Sequence, residues 1–167
     1  MSSVAKFKWD GMEEYERKLS RLGERSGAVV SKAVYAAAGL VAAEISAGIS
    51  GLKITPEKRA LANFRQGKPG YITPEQKAGL QASLGIARFR NENGFINTKI
   101  GFDGYNSIKT EKYPNGQPNA MIARSCERGT TGMIAQPFVN KAVSRASKKA
   151  EAVMEQVLDE EISKIMD

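Results

Sequence analysis

The stretch Ala123–Val143, ARSCERGTTGMIAQPFVNKAV, decides how this chain is read. A charged run stops at Gly129-Thr130-Thr131-Gly132, and Gln136-Pro137-Phe138 then opens a long amphipathic pattern. Apolar residues recur at Val139, Ala142, Val143, Ala146, Ala150, Val153, Met154, Val157, Leu158, Ile162 and Ile165, the spacing of one helical face. A helix over 137–165 is predicted. A glycine loop ahead of a helix is either a cradle for phosphate at the helix N-terminus or a hinge that aims the helix. A nucleotide-binding loop needs G-x-x-x-x-G-K-[ST], with its lysine on the phosphates and its hydroxyl on magnesium. GTTGMIAQPF has neither in place, and Pro137 removes a donor at the helix start. The loop reads as a rigid aiming device. Gly129 and Gly132 allow unusual backbone angles, Pro137 fixes the first turn, and Phe138 locks that turn onto the core.

Upstream, ASLGIARFRNENGFINTKIGFDG carries the clearest turn signal, Asn93-Gly94, the residue pair of a two-residue hairpin. Folding about it sets Phe89 opposite Thr98, Ala87 opposite Ile100 and Gly85 opposite Phe102 on an apolar face. The other face has Arg90 opposite Asn97 and Arg88 opposite Lys99. Like charges facing across a hairpin are mildly destabilising, so this basic stripe suggests a partner, or else a hydrated face neutralised by carboxylates elsewhere. Nearer the start, Val4–Trp9 alternates as a short strand would, and Asp10 is placed to cap a helix through Met12, Tyr15, Leu19 and Leu22 that Gly23 ends or bends. A second, alanine-rich helix is expected from Ser26 to Ile49, with the stripe Val30, Ala33, Val34, Ala37, Leu40, Val41, Ile45 and Ile49, and with Gly48 and Gly51 as stop signals. Residues 51–72 read as a long basic loop, poorly ordered or extended, with a short helical turn allowed at Thr55-Pro56 and another at Thr73-Pro74. Residues 103–118 are turn-rich, and 119–128 fit a short strand or a helix equally well. The whole is a single domain, 1–167, of α+β class: a hairpin-based antiparallel sheet packed against the alanine-rich helix and the long C-terminal helix.

Composition narrows the chemistry. The chain holds 25 Lys and Arg against 18 Asp and Glu, a net charge of +7, which permits contact with nucleic acid or an acidic partner without establishing either. It has no histidine and a single cysteine, Cys126. Ser-His-Asp and Cys-His catalysis, His-containing zinc sites and an internal disulfide are therefore closed to it. The one Glu-x-Lys, Glu75 to Lys77, follows a helix-starting Thr-Pro rather than lying on a strand. Asp159, Glu160 and Glu161 are successive on a helix and point different ways, a poor metal site placed where the helix dipole disfavours acids. Ser3 and Lys6 match a Ser-x-x-Lys pair by spacing alone. No enzyme, cofactor or metal is expected. The opening MSSVAKFKWDG lacks the apolar core of a signal peptide and no apolar run approaches membrane-spanning length, so a soluble chain made in the cytoplasm is expected.

Glu127-Arg128-Gly129-Thr130, Ala135-Gln136-Pro137-Phe138-Val139 and Ala142, in that order and spacing, resemble the signature of the phage head–tail joining and tail-completion family, the gene-product-ten-like proteins of long-tailed phages. The front end, GMEEYERKLSRLG followed by an alanine-rich helix, is similar to that family's opening pattern. Gly79-Leu80 with Ala82-Ser83-Leu84 is similar to its entry into the hairpin. The resemblance spans about residues 10 to 165. It departs at Arg128, where the family usually has an aromatic, at the separated Thr73 and Gly79, and in the longer, more basic 51–72 segment. It implies a virion structural protein of a phage or prophage, assembled in the bacterial host's cytoplasm as a ring, a hexamer by the family's habit, around the DNA passage and against other neck or tail proteins. Two surfaces are candidates for the subunit interface or for facing DNA: Arg88, Arg90 and Lys99 on the hairpin, and Asp159, Glu160 and Glu161 on the last helix. The alternative is a basic nucleic-acid-binding protein using Arg88, Arg90, Lys99 and the 53–68 loop.

Overall fold

The computed structural model describes residues 12–167. The Val4–Trp9 strand, the Asp10 cap and the Ser3/Lys6 pair lie outside them. The elements run α1 (Met12–Ser50), α2 (Glu57–Arg65), α3 (Pro74–Ser83), β1 (Leu84–Ile86), β2 (Arg90–Glu92), β3 (Phe95–Asn97), β4 (Ile100–Phe102), α4 (Asn119–Arg128) and α5 (Phe138–Met166). The class is α+β, as expected, and two long helices dominate it.

α1 runs unbroken through Gly23, so the two predicted N-terminal helices are one, of 39 residues and about 58 Å at 1.5 Å per residue. A single glycine in a helix costs only about 1 kcal/mol against alanine, too little to stop so long a helix. α1 and α5 run antiparallel, and their seam is built from small side chains. Ala33, Ala37 and Ala38 are buried on α1, and Ala142, Ala146 and Ala150 on α5. Val29 is buried where Val30 was expected, and Val143 and Ile162 are exposed members of the predicted α5 stripe. Gly48 lies inside α1 rather than stopping it, and the backbone of Phe138 comes within 3.4 Å of where its Cβ would be. By length and composition Glu13–Ser50 is apolar enough to cross a membrane, which corrects the reading that no run approaches that length. Much of this apolarity is alanine, the residue that lets α5 approach closely.

At the lower end of this pair Ile45, Ile49, Leu52, Ile72, Leu80, Ile122, Ala123, Cys126, Phe138 and Ala142 form the main core. Leu52 and Ile72 anchor the 51–72 stretch there, and Ile54 and Ile72 bridge in parallel. That stretch is therefore not one long loop: it carries the nine-residue α2. α3 starts with a full capping box, Thr73 Oγ1 accepting from Gln76 N and Gln76 Oε1 accepting from Thr73 N. Residues 119–128 resolve as helix.

The hairpin turns at Asn93-Gly94 with positive φ at both (55° and 86°), as that residue pair predicts. Its tip keeps the expected register, Arg90 opposite Asn97, but the base does not: Leu84 pairs Phe102, Gly85 pairs Gly101 and Ile86 pairs Ile100. Three residues, Ala87 to Phe89, face two, Thr98 and Lys99, so a bulge shifts the base by one position. The shift turns Leu84 and Ile86 inward beside Ile100 and Phe102, where the uninterrupted register would have placed Gly85 and Ala87. Larger side chains bury more apolar area, and that favours the bulge. Arg88 no longer stands squarely opposite Lys99, and Ala87 N donates to Lys99 O instead (2.7 Å).

The turn-rich 103–118 segment is held by a buried polar knot. Asn106 Oδ1 accepts from Ile108 N and Gln117 N, both at 3.0 Å, and Gln117 Oε1 accepts from Asn106 Nδ2 and Gln76 Nε2. Gly116 closes it at φ +103°, with no room for a side chain because a Cβ would lie 2.0 Å from Asn106 O.

Candidate functional site

The residues that carried the sequence reading converge where the C-terminus of α1 meets the N-terminus of α5. α5 has no capping side chain of its own, because the residue before it is Pro137. Glu127, in the last turn of α4, supplies the cap from outside: its two carboxylate oxygens accept from Val139 N (2.8 Å) and Asn140 N (3.0 Å). These are N–H groups a helix start leaves unpaired, and a carboxylate there also meets the positive end of the helix dipole. Gln136 makes a second clamp. Its side-chain amide accepts from Lys53 N (2.8 Å) and donates to Lys53 O (3.0 Å), imitating a strand partner for a residue that belongs to no strand. Its backbone N donates to Cys126 O (2.7 Å).

Gly129 ends α4 at φ +75°, where an added Cβ would crowd Ala135 and Met133 at 3.1–3.3 Å. Gly132 has no such role: it is not among the positive-φ residues, which corrects its assignment as a second hinge glycine. Instead its carbonyl accepts from Gly70 N (3.2 Å) while Ile134 N donates to Gly70 O (2.8 Å), stitching the loop to the 51–72 segment. Thr130 pairs with Met133 across the turn. Pro137 sits one residue before the helix rather than in its first turn, and Phe138 is buried, edge-on to Phe102 with ring centroids 6.1 Å apart.

α1 is capped from outside as well. It has no basic residue in its last turn, and Lys77 Nζ from α3 donates to Ser50 O (2.7 Å) and Leu52 O (3.1 Å). The Glu75-x-Lys77 pair is thus half of a helix cap. Both long helices are terminated by a charged side chain borrowed from a shorter one. No spacing rule in the sequence reveals such a cap, since donor and acceptor lie far apart along the chain.

Beside this joint lies a cleft of about 430 Å3 whose walls include Glu44, Lys53, Tyr71, Lys141 and Arg145. Its lining carries three cations against one carboxylate and suits an anionic group. Lys53 also lies over the Tyr71 ring, 5.8 Å from its centroid. Cys126 is buried against the joint, and burial, with the charge of Glu127 beside it, pushes its thiol up to about 11.

The two candidate charged surfaces fare differently. Arg88, Arg90 and Lys99 are all exposed on the hairpin, spread along it by the bulge. Glu161 is committed within the subunit: it takes Lys32 of α1 (2.5 Å) and Lys164 (2.7 Å), and these contacts hold its carboxyl down at about 2. Ile165 and Met166 are half-buried, so the end of α5 is not the free tail its length suggested. Asp159 and Glu160 remain exposed. No family model matches the chain, and neither a curated protein nor a solved structure matches it.

Proposed function

We propose that the chain is a virion structural protein of a tailed phage or prophage, a head–tail connector or tail-completion component that assembles as a ring around the DNA passage. The observation that carries this reading is how the motif residues are used. The carboxylate of Glu127 and the amide of Gln136 are spent on backbone groups, and Gly129, Pro137 and Phe138 on the path of the chain. A site for chemistry keeps polar groups convergent and free in a pocket. Here they fix the angle between two long helices, which is the work of a structural part. On this reading the chain catalyses nothing and takes no cofactor. It partners with copies of itself, in sixes by its family resemblance, and with neighbouring neck or tail proteins, and it needs no membrane. It acts in the virion after assembly in the host cytoplasm. Disrupting its gene in the phage or prophage that carries it, with electron microscopy of the lysate, tests the reading. DNA-filled heads and separate or misfinished tails are expected, with joined particles restored by a copy supplied in trans. Joined, infectious particles at unchanged titre would overturn it.

A further inference from the structure

We propose that copies of this chain join head to tail, α2 of one copy entering the apolar groove between α1, α5 and β4 of the next. The inference rests on the ring reading above and deepens it by naming the two surfaces. α2 buries none of its own residues, yet it presents Leu61 and Phe64, which are 52% and 80% exposed. Residues at i and i+3 share a helix face, and such a pair is how an amphipathic helix offers anchors to a groove. Lys58, Arg65 and Lys68 flank this knob with positive charge, against the single acid Glu57 one turn before Leu61.

The receiving groove has a volume of about 330 Å3, enough for both side chains, and is lined by Val34, Val41, Ile100, Val139, Val143 and Met154 among others, with Thr98 its single polar residue. Val143 is 45% exposed, so the groove opens to water there. Near Met154 its α5 wall passes into the acidic half of that helix, Glu151, Glu155, Asp159 and Glu160. Among the described residues, neither these acids nor the basic residues around Phe64 form an ion pair within the subunit. The occupant is a second copy because one chain carries both halves: an apolar knob with a mainly basic rim, and an apolar groove whose Met154 end is bordered by acids while its Val143 end lies among Lys141 and Arg145. The two surfaces differ, so the contact is heterologous. Each added copy leaves one knob and one groove open until a rotation closes the ring.

A pair of full-length variants tests this. Phe64→Glu removes the knob and leaves the groove, while Val143→Glu blocks the groove and leaves the knob. Both sites are solvent-exposed, and circular dichroism checks that each variant folds. In native mass spectrometry across a concentration series at low salt, each alone is expected to need at least tenfold more protein to assemble than the unmodified chain. Mixed together, they are expected to form a one-to-one heterodimer that grows no further, because one intact knob meets one intact groove. A photo-crosslinking p-benzoylphenylalanine at position 64 is expected to label the 34–41 or 143–154 stretch of a second copy. Assembly of either variant at ordinary concentrations, absence of the heterodimer, or crosslinks to another region would overturn the interface and leave the ring reading standing. An unmodified chain that stays monomeric throughout also overturns the interface, and the gene-disruption particles then judge the functional reading separately.

Discussion

Glu127 and Gln136 do their work through short, directed contacts, so the joint they make is open to test one residue at a time. Removing a helix cap costs about 0.5–2 kcal/mol, and Glu127→Ala is expected to lie at the upper end because both oxygens are used. Glu127→Gln keeps an acceptor and is expected to cost less. Gln136→Ala gives up two hydrogen bonds to Lys53, at about 1 kcal/mol each. Urea unfolding of the three variants checks the order; equal stability of all three with the parent would mean that the contacts do not hold the joint. Cys126 reports on the same place. With its thiol fully buried and raised to about 11, it should resist a disulfide reagent at pH 8 in the native chain and react at once in denaturant. Reaction in Glu127→Ala at intermediate rates would mark local opening of the joint.

Among the elements, α5 is pinned to α1 at its start by the joint and near its C-terminal end by Glu161, which takes Lys32 from the middle of α1 as well as Lys164. The carboxyl of Glu161 is held at about 2 by hydrogen bonds first from Lys164 and then from Lys32, below its ordinary 4.5. The sign follows directly: a carboxylate depressed in the folded state stabilises above about 4.5, and that contribution is lost as pH falls from there towards about 2. The pair is solvent-accessible, so salt weakens it. Thermal melting of the parent and Lys32→Met is expected to differ at pH 6 in low salt and to converge near pH 2 or in high salt. A difference that persisted under both conditions would place the effect in packing of the lysine stem rather than in its charge.

Over the whole molecule, charge is distributed so that α5 opposes its own dipole. Lys141, Arg145, Lys148 and Lys149 occupy its N-terminal half, and Glu151, Glu155, Asp159, Glu160 and Glu161 its C-terminal half. In the proposed ring, another copy would bring opposite charge to the exposed members of this arrangement, which costs something in an isolated subunit. The net +7 also bears on DNA. Arg88, Arg90 and Lys99 are exposed and carry the charge that suits phosphates, so binding to duplex is expected to be weak and sequence-independent, with a dissociation constant of about 1–100 µM at physiological salt that rises steeply with ionic strength. Tight, sequence-selective binding in a gel-shift assay would favour a nucleic-acid-binding protein over the virion reading.

By itself the sequence determined what local periodicity and turn chemistry control. The α5 stripe, the Asn93-Gly94 turn, the helix start at Thr73-Pro74 and the unusual backbone of Gly129 each depend on neighbours within a few residues, so each could be read directly. The motif around Gln136 was legible as a fixed loop, but not its clamp on Lys53, a residue 83 positions away. Tertiary structure decided the rest. It carried α1 through Gly23, because one glycine costs too little to stop a helix anchored further along on α5; it bulged the hairpin, because Leu84 and Ile86 bury more than glycine and alanine; and it paired Glu161 with Lys32 across two helices. Each of these outcomes turns on surface buried, or charge met, between segments distant along the chain, and a pattern read along one strand or helix contains no term for what will pack against it.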